Sequence, residues 1–321
     1  MLKYILKRIL MVIPDPAPVV LGVHATPEAM EAWRADNGLD DPLWLQYVNF
    51  IAGAVQGDLG TSYYTHQPVT QEIAARFPAT AELAVCAIIV ASLLGVALGV
   101  LAAVRRNKLA DNVSMVVALV GVSMPIFWSG ILLILLFSGI LHVLPSSGRV
   151  SPLLQPTGGT GFFILDTIMR GDWTALGDVL VHLILPTLAL SLYSMAIITR
   201  MTRSSMIETL SADYIRTARA KGLSKGAVNI KHALRNAMLP ISTVIGLQFG
   251  SLLGGALLTE TVFAWPGIGK FAVDCVLKSD FPVVQGIVLL VAVIFVIMNL
   301  VVDIVYAYLD PRIKYGAKEE G

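Results

Sequence analysis

The chain has 321 residues, of which 56% are hydrophobic and 14% are charged, and its mean hydropathy is +0.74. This composition excludes an ordinary soluble domain and predicts a protein that resides in lipid. The formal net charge of +1 gives no reason to expect a nucleic-acid partner. The only two cysteines are Cys86, within an apolar run, and Cys275. They support neither a disulfide framework nor a cysteine-ligated metal site.

The N-terminal segment, residues 1–23, reads as an incomplete transmembrane helix. Its apolar part ends at Pro14, too early to cross a bilayer, and Asp15 and Pro16 then stop the helix. A cleaved signal peptide is the alternative, but only residues 9–13 remain as an uninterrupted apolar core. We therefore favour a retained segment.

Residues 24–78 are acidic and rich in aromatic side chains, and they contain turn signals such as Asn37-Gly38. We predict that they form a small periplasmic cap. Anchoring of the Trp and Tyr side chains at the membrane surface is favoured over ligand binding.

Five apolar stretches follow, each long enough to cross a bilayer, which requires about 20 residues. They are residues 79–104, 113–141, 179–199, 238–259 and 283–309. Pro125 and Pro186 interrupt two of them and are expected to kink the helices. Glycines spaced by four in the fourth stretch, such as Gly250 and Gly254, favour close helix packing over pore lining.

The charges predict which side each loop faces. If the N-terminal segment also crosses, both termini share a side with residues 105–112 and 200–237, and that side carries 17 of the 23 lysines and arginines. Positive charge concentrates in cytoplasmic loops. The sequence thus predicts an all-α, multi-pass protein with about six transmembrane helices and both termini in the cytoplasm. Residues 79–309 form its membrane core and 310–321 a cytoplasmic tail.

The basic loop 200–237 carries the most information. Apolar residues recur every four positions and predict one amphipathic helix, at Met206, Leu210, Tyr214 and Ala218. Gly222 is expected to cap its end in a left-handed conformation, and Ser224 to begin a second helix. From these residues alone, a docking role competes with simple positive-inside topology, a lipid-surface helix and a solvated linker.

This loop resembles the cytoplasmic EAA loop of ATP-binding-cassette importer permeases. DYIRTARAKGL at 213–223 and HALRNAMLP at 232–240 are similar to the dipeptide, oligopeptide and nickel permease family. Further stretches agree with that family: GDLG at 57–60, RFPATAEL at 76–83, SMPIFW at 123–128, TETVFAWPGIG at 259–269, FPVVQG at 281–286 and DPRI at 310–313. The resemblance covers nearly the whole chain and is greatest to the first of the two permease subunits of dipeptide transporters.

The resemblance implies a type I importer transmembrane fold in the bacterial inner membrane. It implies as partners a second homologous permease, two ATPase subunits that bind ATP and Mg, and an extracytoplasmic binding protein. The implied substrate is a dipeptide or short oligopeptide, with nickel, glutathione, haem or another small solute as alternatives. The chain has no phosphate-binding Gly-x-x-x-x-Gly-Lys-Ser/Thr loop, so we expect no cofactor on it.

Two sets of site residues follow from the motifs. The ATPase-coupling residues implied by the resemblance are Asp213, Tyr214, Thr217, Ala218, Arg219, Ala220, Lys221, Gly222 and Leu223. Candidates for the pathway or its gate are Pro125, Phe127, Trp128, Gln248, Glu260 and Asp303. Catalytic and metal-binding residues are not expected, because the histidines are scattered and no hydrolase or zinc motif occurs.

A proton-coupled secondary transporter is the main rival, and it would have to use Glu82, Glu260 and Asp303. No inverted repeat with paired broken helices is visible, which weakens that reading. Glu82 and Glu260 are instead expected to reach the outer membrane interface.

One junction departs from the family pattern. Family members continue past an Ile-Pro like Ile13-Pro14 with a further apolar stretch, whereas here Pro14 directly precedes Asp15. Part of the first transmembrane helix is therefore missing, either deleted in the protein or omitted from the sequence, and we favour omission.

Overall fold

A computed structural model describes residues 15–22 and 24–309 of the chain. Within these residues all regular secondary-structure elements are helices, apart from one isolated β-bridge between Thr61 and Pro68. The all-α prediction is confirmed.

The α-helices are α1 (Ala17–Leu21), α2 (Pro27–Asp36), α3 (Leu43–Val55), α4 (Val69–Val104), α5 (Leu109–Ser123), α6 (Ile126–Leu133), α7 (Phe163–Arg170), α8 (Trp173–Ser211), α9 (Asp213–Ala220), α10 (Arg235–Gly255), α11 (Leu257–Val262), α12 (Ile268–Leu277) and α13 (Phe281–Leu309). π-helical segments extend α6 over Ile134–Ile140 and precede α10 over Ala227–Leu234, and Pro152–Leu154 forms a 3₁₀ turn.

Four helical segments are long and apolar enough to cross a membrane: Val69–Val104, Trp173–Ser211, Ala227–Gly254 and Phe281–Val301. They coincide with four of the five predicted stretches. The remaining predicted stretch, residues 113–141, is divided into Leu109–Ser123 and Ile126–Ile140, which meet at an angle of 106°. The described part of the chain thus holds four spans, or five if this bent pair counts as one. The predicted incomplete first helix falls in residues 1–14, outside the described residues.

The two prolines expected to interrupt helices behave differently. Met124 adopts an extended conformation (ψ 131°) in front of Pro125, and the chain turns there. At Pro186, which is buried, α8 continues as a single helix, so this proline does not interrupt the helix, and a kink there stays a prediction. Packed neighbouring helices can accommodate a proline in this way.

The chain divides into two compact units. The first contains residues 15–77 and 270–290. In it the buried Asp280 carboxylate accepts hydrogen bonds from the Ser62 hydroxyl (2.6 Å) and the Tyr63 amide (3.2 Å). Burial raises the pKa of Tyr63 to about 12, and its ring packs edge-on against Trp33 at 4.9 Å.

The second unit contains residues 78–269 and 291–309, with α8 at its centre. Helices α4 and α8 pack so closely that a Cβ added at Gly99 would lie 2.5 Å from Cβ of Thr202. Helix α10 also packs on α8. The α10 glycines Gly250 and Gly254 face α13, where added Cβ atoms would lie 3.4 Å and 3.2 Å from its side chains. This geometry favours their predicted packing role.

Candidate functional site

The segment 200–240 contains the end of α8, the short helix α9, the π-helical segment and the start of α10, with a break after α8 that the sequence did not predict. Helix α8 ends at Ser211, Ala212 is extended (φ −69°, ψ 149°), and α9 then begins at Asp213. The single amphipathic helix predicted through Met206 and Ala218 is therefore wrong. The Ser211 hydroxyl donates to the Glu208 carbonyl, a local bond that competes with continuation of a helix.

One face of α9 is fixed to the rest of the unit. Ile215 is fully buried and Ala218 nearly so, and both pack in an apolar cluster with Met206 of α8 and with Val228 and Ala233 of the following π-helical segment. Helix α9 is therefore in direct contact with the ends of two long helical segments.

The other face of α9 and the turn after it are exposed. Tyr214 and Leu223 are 45% and 42% exposed. The predicted residues Asp213, Thr217, Arg219, Ala220, Lys221 and Gly222 are also exposed. The structure thus brings the nine predicted coupling residues together on one short helix and its turn, with Ala218 as the one that faces inward.

The turn has the geometry that the sequence predicts. Gly222 has φ +79°, its amide donates to the Arg219 carbonyl (3.0 Å), and the Leu223 amide donates to the Ala218 carbonyl (3.4 Å). This pair of bonds is the Schellman motif, which favours glycine at the left-handed position. The Ser224 hydroxyl then accepts from the Ala227 amide (3.3 Å) and caps the next helix, as predicted.

The exposed surface around this turn is basic. Its cations are Arg216, Arg219, Lys221, Lys225, Lys231 and Arg235, all of them exposed. Asp213 lies 3.7 Å from Arg216 in a pair that is open to solvent, and such pairs contribute little. The surface therefore suits an acidic partner.

An ion pair also holds α8 in place before the break at Ala212. Arg203 donates to both carboxylate oxygens of Asp111 at 2.6 Å and 2.9 Å, and the Asn107 amide donates to Asp111 at 2.9 Å. This bidentate pair was not predicted from the sequence. Asp111 at the edge of an apolar stretch was the available signal, since carboxylates there require a partner.

The pathway candidates lie on several elements, and three of them lie at or on α6. Pro125 begins α6 at the bend, Phe127 and Trp128 are exposed on α6, and Gln248 of α10 accepts a hydrogen bond from the Ser194 hydroxyl of α8 at 3.1 Å. The side chain of Asp303 lies outside the described residues.

Glu260 is fully buried, so its prediction as an interface residue was wrong. The Thr80 hydroxyl donates to its carboxylate at 2.6 Å, and the Ile268 amide donates to the Thr80 oxygen at 2.8 Å. A Cβ added at Gly267 would lie 2.4 Å from that carboxylate. The RFPATAEL and TETVFAWPGIG stretches thus meet around one buried acid.

Glu82 is also buried rather than at the interface. It accepts hydrogen bonds from Arg149 (Nη2 at 2.6 Å, Nε at 3.1 Å) and from the Ile164 amide (2.7 Å). The Arg149 guanidinium lies 3.8 Å from the centre of the Phe163 ring. Burial lowers the pKa of Arg149, and the Glu82 carboxylate opposes that shift. This ion pair was not predicted.

Among the residues that the structure describes, no cluster of three or more His, Cys, Asp or Glu side chains could hold a metal ion. The arrangement instead combines a basic, glycine-capped helix with long apolar helices.

The sequence family described as "Binding-protein-dependent transport system inner membrane component" matches residues 95–315, and the family of its N-terminal region matches residues 1–84. This chain belongs to that family. It is accordingly a multi-pass permease component of an inner-membrane transport system, and the resemblance seen in the sequence is confirmed.

Two relatives illustrate how close the similarity is. The permease is 45% identical to the dipeptide transport system permease protein DppB of Alkalihalophilus pseudofirmus over 333 residues, covering 98% of this chain and 100% of that protein. It is 46% identical to DppB of Escherichia coli strain K12 over 339 residues, covering 98% and 99%. Both alignments are longer than the 321 residues of the permease, so these relatives contain residues that it lacks. Pro14, at the unusual junction, lies outside the described residues.

The fold also matches a solved transporter. Inward-facing conformations of the MetNI methionine ABC transporter superimpose with a TM-score of 0.55 at 15% identity, covering 72% of the permease and 93% of that chain. At this identity the likeness concerns the fold, which is the predicted fold of ABC importer permeases.

Proposed function

We propose that this chain is the membrane-spanning subunit of an ATP-driven importer of dipeptides or short oligopeptides, working with a second, homologous permease. The observation that carries the proposal is 45–46% identity along almost the full length of two dipeptide permeases. Two ATPase subunits holding ATP and Mg would supply energy, and an extracytoplasmic binding protein would deliver the peptide.

The surface proposed to receive the ATPase is α9 with its glycine turn, residues 213–223. Three features support this role: one face of α9 is buried against the ends of α8 and the π-helical segment, the other is exposed and basic, and the apolar Leu223 stands beside the turn. A rigid-body movement of an ATPase would thus be passed to the long helices through Ile215 and Ala218.

In this arrangement α9 and both termini lie in the cytoplasm, residues 24–78 form the periplasmic cap, and residues 310–321 form the tail. The concentration of lysine and arginine in the proposed cytoplasmic segments supports it. Pro125, Phe127, Trp128, Gln248, Glu260 and Asp303 remain the proposed pathway or gating residues.

Reconstitution tests the proposal. The permease is purified in mild detergent with the proteins that stay bound to it, placed in liposomes with ATP inside, and supplied with binding protein and a labelled dipeptide outside. We expect ATP-dependent accumulation of the dipeptide that unlabelled dipeptides compete away. Competition by nickel, glutathione or haem, but not by peptides, would reassign the substrate. Uptake driven by a proton gradient without ATP would refute the importer.

A further inference from the structure

Helix α7 carries an exposed apolar face that lies outside the surfaces proposed above for transport. Leu165, Ile168 and Met169 follow the spacing of a single helical stripe, and they are 46%, 48% and 73% exposed. The opposite face, with Asp166 and Thr167, is buried. Such a contiguous apolar strip on a folded protein indicates contact with another apolar phase or molecule.

The apolar strip cannot fold inward, because the buried side of α7 is firmly held. The Asp166 carboxylate accepts hydrogen bonds from the Thr160 amide (2.8 Å), the Thr160 hydroxyl (2.9 Å) and the Gly161 amide (3.0 Å). At the start of the helix the Ile164 amide donates to the buried, Arg149-paired Glu82. These hydrogen bonds fix the orientation of α7 and so keep the strip exposed.

Helix α7 is joined rigidly to a membrane-spanning helix. Its last turn closes with Gly171 in the left-handed conformation (φ 68°), and the Asp172 amide donates to the Thr167 carbonyl (3.0 Å). The Asp172 carboxylate then caps α8 by accepting from the Ala175 amide (2.9 Å). Two residues thus separate α7 from a span and fix its direction.

Exposed apolar residues also lie near the start of α8, which begins two residues after α7 ends. Trp173, the first residue of α8, is 70% exposed, and Leu180 and Ile184 are exposed on the same side of that helix, seven and eleven positions later. Tryptophan at the start of a span is typical of the membrane–water boundary. Arg170, the cation at the end of α7, is turned to the loop, where it donates to the carbonyls of Thr157 (2.8 Å) and Gly158 (2.5 Å).

We propose that α7 is a membrane-interface helix whose strip Leu165, Ile168 and Met169 inserts among lipid acyl chains next to the start of α8. Lipid is the occupant because the strip is apolar, carries no charge, and lies two residues from the start of α8, a helix long and apolar enough to cross a membrane. By holding its position at the membrane surface, α7 then sets how deeply α8 lies in the bilayer. This inference depends on membrane insertion of α8 and not on the substrate or the ATPase docking proposed above.

Spin-label accessibility tests the proposal on the full chain in lipid nanodiscs, purified with its bound subunits. Cys86 and Cys275 are first replaced by Ala, and a nitroxide is attached to Met169→Cys or, separately, Leu165→Cys. The control is Thr157→Cys, an exposed polar position of the same loop. Collisions with oxygen, which dissolves in acyl chains, are compared with collisions with a water-soluble nickel chelate.

We expect the ratio of oxygen to nickel accessibility to be severalfold higher at both α7 positions than at the control. High nickel accessibility at 165 and 169 would show a strip that faces water and would overturn the proposal, as would nickel accessibility that falls only on addition of binding protein. Low accessibility to both reagents would show that a second protein subunit covers the strip, which also refutes a lipid contact. Two labelled positions guard against failure of one variant to fold.

Discussion

Replacement of Gly222 by Val tests the effect of backbone conformation at the turn separately from the effect of side-chain contacts. Gly222 has φ +79°, and a Cβ added there would meet no atom within 4 Å. Among the described residues, the substitution therefore removes no packing and creates no clash. Its cost is the left-handed conformation itself, about 1–2 kcal/mol for a residue with a side chain. That reduces the population of the capped turn by roughly 5- to 30-fold.

The chain supplies a matched control four residues away. Gly226 is also exposed and open, but it has φ −62°, a right-handed value that valine adopts without strain. Gly222→Asn is a second control, because asparagine tolerates the left-handed conformation. We expect Gly222→Val to lower the amount of dipeptide transported per ATP hydrolysed, and Gly226→Val and Gly222→Asn to remain near wild type.

The assay is uptake and ATP hydrolysis measured on the same proteoliposomes, with subunit ratios checked by gel. Loss of bound ATPase from the Gly222→Val variant, but not from the two control variants, would also support docking at the turn. The reasoning is refuted if Gly222→Val transports as many peptides per ATP as wild type at equal subunit content. It is refuted equally if Gly226→Val is impaired to the same degree, because strain at residue 222 would then explain nothing.

Three further predictions concern the second unit and use thermal unfolding in detergent. Arg149→Met leaves the buried Glu82 carboxylate without its cation and should cost about 3–5 kcal/mol, with much of the loss restored by adding Glu82→Gln; no restoration would refute a buried ion pair. Gly99→Ala places a Cβ 2.5 Å from a side-chain carbon of α8 and should cost about 1–3 kcal/mol, whereas Gly177→Ala, with no atom within 4 Å, should not destabilise. Burial would raise the pKa of Asp166, but its hydrogen bonds outweigh burial and lower the pKa below 3.8, so its stabilisation is present above pH 3.8 and is lost as the pH falls through the folded value. The difference in unfolding temperature between wild type and Asp166→Asn should accordingly be greatest near neutral pH and shrink below pH 3.8, and a constant difference would contradict this account.

The long helices could be predicted because a bilayer leaves a strong local signal. Every span needs an apolar stretch of about 20 residues, so α4, α8, α10 and α13 were visible from hydropathy. The glycine turn was predictable for a similar reason, since capping depends on a few adjacent residues, here Gly222 and Ser224.

The polar contacts that fix the helices depend on residues distant in the sequence. Glu82 and Arg149 are 67 positions apart, and Asp111 and Arg203 are 92 apart. No periodic pattern connects such pairs. A carboxylate in an apolar run does require a partner, but Glu82 was assigned to the membrane interface, where water could have served instead. The break at Ala212 was missed because the four-residue apolar spacing continues across it, whereas the helical conformation of the backbone does not.

The 106° bend before Pro125 has a consequence for solvation. A helix that stops leaves its last carbonyl groups without amide donors, and acyl chains offer none. The end of α5 must therefore be bordered by water or by protein groups that can donate hydrogen bonds, and lipid must be excluded from it. Solvent isotope exchange of the amides at this bend distinguishes the two: fast exchange would show that water borders it, and slow exchange would show that protein does.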